Sequence, residues 1–436
     1  MTRVALTTLG CKVNQSETDL LARRFAAAGY DCVPFDAEAD VYVVNTCTVT
    51  HVADRKSRQL LSQAGRLNPE ALVVATGCYA SIVGPALSGE HRLVVRNRDK
   101  DRLVELVTGA LGATPAIGTF ADTEKYLDAP STDVRARATV KAQDGCDSHC
   151  AYCIIPRARG RSRSVHADDV VRRVRALCSE GHPEVVITGV DLGSYGEDRD
   201  DAPDLGGLLR RVLDETSVPR VRVSSLEPGD FDPDWLSLWD DPRLCRHLHV
   251  PLQAGSTAVL RRMGRSYTTA DFAAMVSLCR RHIPGVAITT DVMVGFPGET
   301  DSQFDEGVAF IREVQFDGMH VFRYSRRSGT RAAAMEGQVP EEVKAARSAV
   351  LRTEAESGVR RLLDRHLGKR VQVAWEAETD GVRRGLTDTN VRTYGTACGP
   401  ALSVVELTHP FRDGLWAEPA VPEIPLVPYV SSGAAS

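Results

Sequence analysis

The stretch Ala138-Thr-Val-Lys-Ala-Gln-Asp-Gly-Cys-Asp-Ser-His-Cys-Ala-Tyr-Cys153 joins a short strand-like segment to three closely spaced cysteines. Further strand candidates follow it, separated by helical patterns, at residues 185–188, 220–224, 247–250, 287–294 and 319–324. This alternation predicts a partial (β/α)6 barrel over residues 135–335. Barrels of this kind carry their chemistry on the loops after the strands, and Cys146, Cys150 and Cys153 lie on the first of these loops.

The first part of the chain, residues 1–110, predicts a second parallel sheet built from βαβ units. Strand candidates and helical patterns alternate there, the strands at residues 3–8, 41–45 and 72–76 and the helices at residues 16–29 and 52–67. Each of the three strands is closely followed by a cysteine, namely Cys11, Cys47 and Cys78. Because the carboxyl ends of parallel strands lie along one edge, we expect the three thiols to converge there. The alternative is three unrelated buried cysteines, which the threefold repetition of the position disfavours.

The last part of the chain predicts a helix over residues 341–367 and then a small β domain. Short alternating segments at residues 371–376 and 403–407 favour a small β-barrel over residues 369–429. Residues 111–134 have the mixed Gly, Pro, Ala and Asp content of a linker, and residues 431–436 that of a frayed tail. The fold class expected for the chain is therefore α/β with three parts.

Composition excludes several classes of protein. No apolar stretch is long enough to cross a membrane, and the N-terminus lacks the apolar core of a signal peptide, so we expect a cytoplasmic protein without a membrane partner. Eleven cysteines in such a chain indicate metal binding or catalysis rather than disulfides. Five of them have no nearby partner and are expected to be small buried side chains: Cys32, Cys178, Cys245, Cys279 and Cys398.

The C-x3-C-x2-C spacing of Cys146, Cys150 and Cys153 supplies three thiolates, one fewer than a cubane iron–sulfur cluster normally takes. Three ligands leave one iron open to another molecule, as an open position does in catalytic zinc sites. A zinc site with His149 as fourth ligand is the alternative. It is disfavoured because the second pair of ligands that zinc motifs of this spacing use is missing.

These cysteines, with Tyr152 before the last of them, match the signature of the radical S-adenosylmethionine (radical SAM) enzymes. The flanking Ile154-Ile-Pro-Arg-Ala-Arg-Gly-Arg161 resembles the methylthiotransferase branch of that superfamily. Thr8-Leu-Gly-Cys-Lys-Val-Asn-Gln-Ser-Glu17 and Asp291-Val-Met-Val-Gly-Phe-Pro-Gly-Glu299 resemble the subfamily that modifies threonylcarbamoyladenosine in tRNA. The C-terminal part resembles a TRAM domain. The chain departs from the family pattern at Arg96, where glycine is usual, and at Arg323, where proline is frequent.

The resemblance implies two [4Fe–4S] clusters, one on Cys11, Cys47 and Cys78 and one on Cys146, Cys150 and Cys153. The second cluster would bind S-adenosylmethionine and cleave it reductively, and the product would be a methylthio group at C2 of the modified adenine. The further candidates for cofactor contact are Tyr152, Thr188, Gly189, Glu227, Gln253 and Asp291. Thr188, Gly189, Glu227 and Gln253 lie at strand ends. Asp291 would bind a ribose hydroxyl or be a paired polar group inside the barrel, and for these residues a structural role is as well supported as a functional one.

The partners that the resemblance implies are tRNA, S-adenosylmethionine and an electron donor such as a flavodoxin or ferredoxin. A run of basic residues beside the cysteine loop would attract a phosphate backbone, and we take Arg157, Arg159, Arg161 and Arg163 as candidates for RNA binding. The C-terminal part has no comparable basic excess, so RNA binding there would use stacking, with Trp375 or Tyr394 as candidates.

Two other functions stay open at this point. The same chemistry would serve isopentenyladenosine in tRNA or an aspartate of a ribosomal protein. A non-catalytic iron–sulfur carrier is a different class of protein, but it has no use for two sites that each leave an iron open.

Overall fold

The structure is a computed structural model that describes residues 1–112, 136–396 and 399–420. Most of the expected linker, the expected tail and Cys398 lie outside the described residues. The described part has an N-terminal sheet, a central half-open barrel and a closed C-terminal barrel, so the expected fold class is confirmed. The division into residues 1–110, 135–335 and 369–429 stays a prediction.

The N-terminal part is a five-stranded parallel sheet with the strand order β2-β1-β3-β4-β5. Its elements are β1 Arg3–Thr8, α1 Lys12–Ala27, β2 Asp31–Val33, β3 Val41–Thr46, α2 His51–Leu67, β4 Leu72–Thr76, α3 Gly77–Val83, β5 Arg92–Val94 and α4 Leu103–Ala110. Apolar side chains pack on both faces of the sheet, and β3, which lies at its centre, is buried along its whole length. The three long strands agree with the sequence prediction, whereas β2 and β5 have three residues each and were not predicted.

The central part contains the six strands of the partial barrel. Its elements are β6 Arg137–Lys141, β7 Gln143–Asp144, α5 Ile155–Arg159, β8 Arg163–Ser164, α6 Ala167–Ser179, β9 Glu184–Thr188, α7 Leu205–Glu215, β10 Val221–Val223, β11 His247–His249, α8 Thr257–Met263, α9 Thr269–His282, β12 Ala287–Val294, α10 Asp301–Val314, β13 Gly318–Arg323 and α11 Arg331–Ala334. The strands form two parallel sheets, β6-β9-β10 and β11-β12-β13. Two isolated β-bridges connect these sheets, one between Val221 and Leu244 and one between Ser225 and His249. The barrel is therefore open between its edge strands β6 and β13.

Helix α1 of the N-terminal part packs across the edge strand β6. The Ser16 hydroxyl accepts from the Lys141 N–H at 3.1 Å and donates to the Thr139 carbonyl at 3.1 Å. These bonds satisfy backbone groups of an edge strand that would otherwise be free. The N-terminal sheet thereby closes part of the lateral opening of the barrel, and the carboxyl edge of that sheet faces the barrel mouth.

The C-terminal part begins with the helix α12 Glu341–Asp364 and continues as a closed five-stranded barrel. Its strands are β14 Arg370–Thr379, β15 Val382–Thr387, β16 Arg392–Gly395, β17 Leu402–Phe411 and β18 Gly414–Pro419. This small barrel covers the end of the central barrel that is opposite to the cysteine loop. Arg220 donates to the Leu386 carbonyl at 2.7 Å, and Arg222 donates to the Thr387 carbonyl at 2.8 Å.

None of the helices among the described residues combines the length and the apolar character that crossing a membrane requires.

Candidate functional site

The structure brings the three N-terminal cysteines together at the carboxyl edge of the sheet. Cys11 precedes α1, Cys47 follows β3, and Cys78 lies in the first turn of α3. A Cβ atom on Gly10 would lie 2.7 Å from the Cys47 sulfur, so only glycine permits this approach of the first loop to the second. Burial, together with the neighbouring Cys78 and Cys11 thiols, raises the pKa of Cys47 to about 11.

Buried amide side chains hold the backbone of these loops in place. The Asn14 amide donates to the Leu9 carbonyl at 2.7 Å and to the Thr46 carbonyl at 3.1 Å, which are close to Cys11 and next to Cys47. The Asn97 amide lies 3.7 Å from the Cys78 sulfur and donates to the Ala158 carbonyl at 2.9 Å. Because Ala158 is in α5, the third cysteine is connected directly to the central barrel.

Arg159, the last residue of α5, is the centre of a buried ionic network between the two parts. Its guanidinium is 3.0 Å from Glu17, 2.6 Å from Asp144 and 2.5 Å from the Asn14 side-chain oxygen. Its side chain is only 1% exposed, so the prediction that Arg159 contacts RNA is wrong: its charge is used inside the protein. The other three basic candidates, Arg157, Arg161 and Arg163, are exposed.

The same network contains Lys100, which is buried, and Lys141, which is partly buried. Lys100 lies 2.5 Å and Lys141 lies 3.0 Å from Glu17; burial alone would raise the pKa of Glu17, but these cations and Arg159 hold it well below its usual range. Removing charges from water is costly unless each is paired. Here these three cations, with the exposed Arg163 at 3.4 Å from Asp144, share two carboxylates. The network therefore carries excess positive charge beside the N-terminal cysteines, where anionic thiolates would offset it.

The barrel cysteines lie on one partly exposed loop, between β7 and α5. The Cys146 thiol donates to Asp191 at 3.0 Å, and burial together with this carboxylate raises its pKa to about 12. Burial raises the pKa of Cys153 to about 11. Thiols with such pKa values keep their protons at neutral pH until a metal displaces them.

An arginine that the sequence analysis missed organises the centre of this loop. Arg265 donates to Glu227 at 2.6 Å and to the Tyr152 hydroxyl at 2.6 Å, and its guanidinium lies 5.8 Å from the centre of the Tyr152 ring. Two of the predicted cofactor contacts, Tyr152 and Glu227, are thus held by one cation that comes from the loop after α8. No spacing rule marks Arg265 in the sequence.

Two carboxylates beside the loop were also missed. Asp191 and Asp230 are neighbours, and burial together with the Asp191 carboxylate raises the pKa of Asp230 to about 7. Both line a cavity of about 540 Å³ that extends along the Cys146 loop. Thr188 and Gly189 precede Asp191 at the end of β9, and Thr188 is buried. The Gln143 side-chain oxygen accepts from the backbone N–H groups of Val190 and Asp191.

Polar side chains line the barrel interior on β11, β12 and β13. Asp291 lies 3.0 Å from His320 and 3.3 Å from His249, and Thr289 lies 2.9 Å from both His249 and His247. The other face of these strands packs against the helices through an apolar core. Gln253 adopts a φ of 64° and pairs through its backbone with Asp291 and Met293. Asp291 lies inside the barrel with His249 and His320 as partners, and the cofactor contacts of Asp291 and Gln253 stay a prediction.

Lys12 adds a cation to this chamber from the N-terminal side. It directly follows Cys11, and its side chain is exposed. The protein around the ammonium group removes part of its hydration and, together with the nearby guanidinium groups of Arg222 and Arg137, lowers the pKa of Lys12 to about 8. Since these arginines are on β10 and β6, the Lys12 ammonium group projects into the barrel from the sheet edge.

The aromatic candidates for RNA stacking in the C-terminal part do not present free ring faces. Trp375 is 1% exposed and donates from its indole nitrogen to Ser403 at 2.8 Å. Tyr394 is also buried, and its hydroxyl bonds to Asp413. Trp375 belongs to the apolar core of the small barrel, and the Tyr394 ring lies against Phe411 and Arg412, so the prediction that these rings stack on RNA bases is wrong.

The donor sets fit iron–sulfur chemistry. Each site offers three thiols, and thiolates are the ligands that iron–sulfur clusters use. The backbone carbonyl of His149 accepts from Arg331. Zinc with His149 as fourth ligand stays the alternative to a cluster at the loop.

A fold with a six-stranded half-barrel and an open C-x3-C-x2-C loop defines the radical SAM class. The family model described as "Radical SAM superfamily" matches residues 140–311, and the model "Uncharacterized protein family UPF0004" matches residues 3–95. Members of the radical SAM class bind S-adenosylmethionine and one [4Fe–4S] cluster, which agrees with the cysteine loop described above.

Known relatives narrow this class. The chain is 41% identical over 357 residues to the threonylcarbamoyladenosine tRNA methylthiotransferase MtaB of Bacillus subtilis, covering 79% of this chain and 78% of that protein. It is 34% identical to the tRNA-2-methylthio-N(6)-dimethylallyladenosine synthase of Moorella thermoacetica, covering 77% of this chain and 79% of that protein. The chain therefore belongs to the methylthiotransferase family of radical SAM enzymes.

A solved structure supports the fold alone. The radical S-adenosylmethionine methyltransferase TsrM of Kitasatospora setae, with cobalamin and a [4Fe–4S] cluster bound, superposes with a TM-score of 0.54 at 18% identity. The match covers 76% of this chain and 74% of that chain.

Proposed function

We propose that this protein transfers a methylthio group to C2 of N6-threonylcarbamoyladenosine in tRNA. The observation that carries the proposal is that the chain has two three-cysteine sets, one on the edge of the N-terminal sheet and one on the first barrel loop, and that Asn97 connects the first set to helix α5, which follows the second. One site alone would serve a simpler radical enzyme. The similarity to the Bacillus subtilis protein supports the choice of substrate.

In this proposal each cysteine set holds one [4Fe–4S] cluster. Cys11, Cys47 and Cys78 hold the cluster that carries sulfur, and Cys146, Cys150 and Cys153 hold the cluster that binds S-adenosylmethionine. When bound, these groups supply the methylthio group and the radical chemistry needed at an unreactive carbon. A low-potential electron donor such as a flavodoxin or ferredoxin provides the electrons, and the site of action is the cytoplasm.

The remaining residues bind, orient and exclude water. Asp191 accepts a hydrogen bond from the Cys146 thiol and thereby orients this side chain on the loop. Arg265 holds Tyr152 and Glu227 at the barrel mouth, where with Thr188, Gly189, Gln253 and Asp291 they form the proposed contacts to S-adenosylmethionine. The N-terminal sheet covers the lateral opening of the barrel and keeps the reacting groups away from solvent.

The exposed arginines of the cysteine loop are the proposed contacts to the RNA backbone. Arg161 is 89% exposed and Arg163 is 50% exposed, and each is only loosely paired, at 3.4 Å from Asp147 and Asp144 respectively. Within the part of the chain that the structure describes, Arg157 donates to the Ser328 carbonyl alone, at 3.3 Å. Such weak pairing leaves the charges available for phosphate groups.

The test is anaerobic reconstitution of the full chain with iron and sulfide, followed by incubation with S-adenosylmethionine, dithionite and tRNA carrying threonylcarbamoyladenosine. Mass spectrometry then measures 5′-deoxyadenosine and the methylthio-nucleoside, with Cys150→Ala as control. Both products, absent from the variant, support the proposal. Deoxyadenosine without the methylthio-nucleoside points to dimethylallyladenosine tRNA or a ribosomal-protein aspartate, and neither product from fully loaded protein favours a non-catalytic carrier.

A further inference from the structure

Lys12 is the first residue of α1, and the packing of this helix turns Lys12 toward the barrel. Ser16 bonds to the edge strand β6, and residues four apart on a helix share a face, so Lys12 lies one turn further on the same barrel-facing side. The residue before it is Cys11, and the charged groups around its ammonium group are Arg222, Arg137 and Glu184 of the barrel.

The other cations around this chamber already have carboxylate partners. Arg222 is 2.8 Å from Glu184, Arg137 is 2.9 Å from Glu376, Arg159 is 2.6 Å from Asp144 and Arg265 is 2.6 Å from Glu227. Among the described residues, no hydrogen bond or ion pair of this kind joins the Lys12 ammonium group to a neighbour. Lys12 thus presents a positive charge that the protein itself does not pair.

The floor of the chamber strengthens this positive field. Glu184 is the shared partner of two buried arginines, at 2.6 Å from Arg220 and 2.8 Å from Arg222, so one carboxylate faces two guanidinium groups. Asp291 is the other nearby acid, and it is bonded to His249 and His320. An anionic ligand that enters this chamber would gain a partner, whereas an apolar one would bury an unpaired ammonium group.

The two kinds of modified adenine differ in this respect. The threonylcarbamoyl group ends in a carboxylate, and the dimethylallyl group is a hydrocarbon. From the Lys12 ammonium group on the barrel-facing side of α1, which has no carboxylate partner of its own among the described residues, we propose that Lys12 binds the carboxylate of the threonylcarbamoyl group and selects this nucleoside against the dimethylallyl form. This inference rests on the proposed function, which it extends from the reaction to the recognition of its substrate.

A site that pairs a substrate charge discriminates more strongly than one that only fits an apolar group, because the unpaired partner penalises the wrong ligand. Lys12 therefore acts on specificity twice: it attracts the carboxylate and it disfavours a hydrocarbon in the same position. The role needs a positive charge, so arginine is the conservative substitution and glutamine removes the charge while keeping a polar side chain of similar length.

The experiment compares two anticodon stem-loops, one with threonylcarbamoyladenosine and one in which its carboxylate is converted to the neutral amide. Wild type, Lys12→Gln and Lys12→Arg are reconstituted, and iron content and the electron paramagnetic resonance of the N-terminal cluster establish that both sites are loaded. Steady-state KM and kcat are measured for each stem-loop, and equilibrium affinity is measured by fluorescence anisotropy on the same loaded protein.

We expect Lys12→Gln to raise KM for the acid roughly tenfold to a hundredfold, the effect of losing a hydrogen bond to a charged group. KM for the amide should not change, and Lys12→Arg should stay close to wild type on the acid. Equal losses on the acid and the amide, or a wild type that does not distinguish them, would overturn the inference. If Lys12→Gln loads less iron, anisotropy values are compared per loaded protein, and an unchanged preference for the acid also overturns it.

Failure of the proposed function is visible in the wild type before any variant is made. Loaded wild-type protein that cleaves S-adenosylmethionine but modifies only a dimethylallyladenosine stem-loop contradicts the proposed function and the inference together. Modification of the threonylcarbamoyladenosine stem-loop without a preference for the acid over the amide contradicts the inference alone.

Discussion

The two cysteine sets are built differently. The N-terminal set follows three strands of one sheet, with Cys11 after β1, Cys47 after β3 and Cys78 after β4, whereas the other set lies within eight residues of one loop, at Cys146, Cys150 and Cys153. The N-terminal set includes two buried cysteines, and its loops are held by Asn14 and by the ionic network around Arg159. The loop set is partly exposed throughout. The N-terminal site is therefore held mainly by the fold, whereas the loop site depends more on a few side chains and on the metal itself.

The two sites are nevertheless connected through α5. This helix starts shortly after Cys153 and ends at Arg159, and Asn97 joins its Ala158 carbonyl to the Cys78 sulfur. A disturbance at the end of α5 should therefore affect the N-terminal site, while a disturbance at the start of the loop should stay local. The following predictions test this asymmetry.

The largest expected effect is the loss of one cluster with retention of the other. Cys150→Ala and Cys47→Ala should each keep about half of the wild-type iron after reconstitution, since each cluster needs all of its three thiolates. Iron analysis and Mössbauer spectroscopy measure this. Cys178→Ala, which removes a thiol outside both sites, is the control and should load fully. Loss of all iron in either variant would show that the sites do not load independently.

The second effect is on stability and is specific to the N-terminal site. Arg159→Gln removes the cation that contacts Glu17 and Asp144, and breaking a buried ion pair in this way costs about 3–5 kcal/mol. Urea unfolding of the metal-free protein should show this loss, and the reconstituted variant should lose iron at the N-terminal site first. Arg161→Gln, at an exposed position of the same loop, is the matched control and should change stability little.

Preferential loss of the barrel cluster in Arg159→Gln would contradict the proposed coupling through α5. Normal iron at both sites with reduced stability would restrict Arg159 to a structural role.

The third effect is a pH dependence of the same network. The pKa of Glu17 is lowered on folding, so its contribution to stability is present above the usual glutamate pKa and disappears as the pH falls through the lower, folded value. Glu17→Gln should be less stable than wild type near neutral pH, and the difference should narrow as the solution becomes acidic. Unfolding free energies of the metal-free proteins over a pH series measure it. A difference that is constant with pH would show that Glu17 acts by packing rather than by charge.

The sequence predicted much of the fold because the barrel strands carry their own signals. All six were found within a residue or two of their predicted positions, and the cysteine loop follows the first of them. The strands β2 and β5 were missed because three residues are too few to show a period. Helix α1 begins at Lys12 rather than at residue 16, since the polar first turn contacts the barrel instead of solvent.

The candidate site was predictable only where spacing marks it. The cysteines were found in this way, but Arg159 and Arg161 are the same residue type two positions apart, and only the folded structure separates the buried one from the exposed one. The partners of Arg159 are Glu17 and Asp144, from two different parts of the chain. Arg265 was missed for the same reason, because its role depends on Tyr152 and Glu227, which are distant in sequence.

The smallest predicted effect tests the loop site. Tyr152→Phe removes the hydroxyl that accepts from Arg265 at 2.6 Å and keeps the ring beside the guanidinium. A hydrogen bond to a charged group contributes about 1.5–3 kcal/mol, so urea unfolding should show a loss in this range. Iron at the N-terminal site should be unchanged, because no contact of Tyr152 reaches that site among the described residues.

Tyr195→Phe, which removes a hydroxyl that donates to the Val165 carbonyl away from both cysteine sets, is the control for loss of a tyrosine hydrogen bond. If Tyr152→Phe instead lowers iron at both sites, the loop transmits disturbances to the sheet as readily as α5 does, and the proposed asymmetry between the two sites fails.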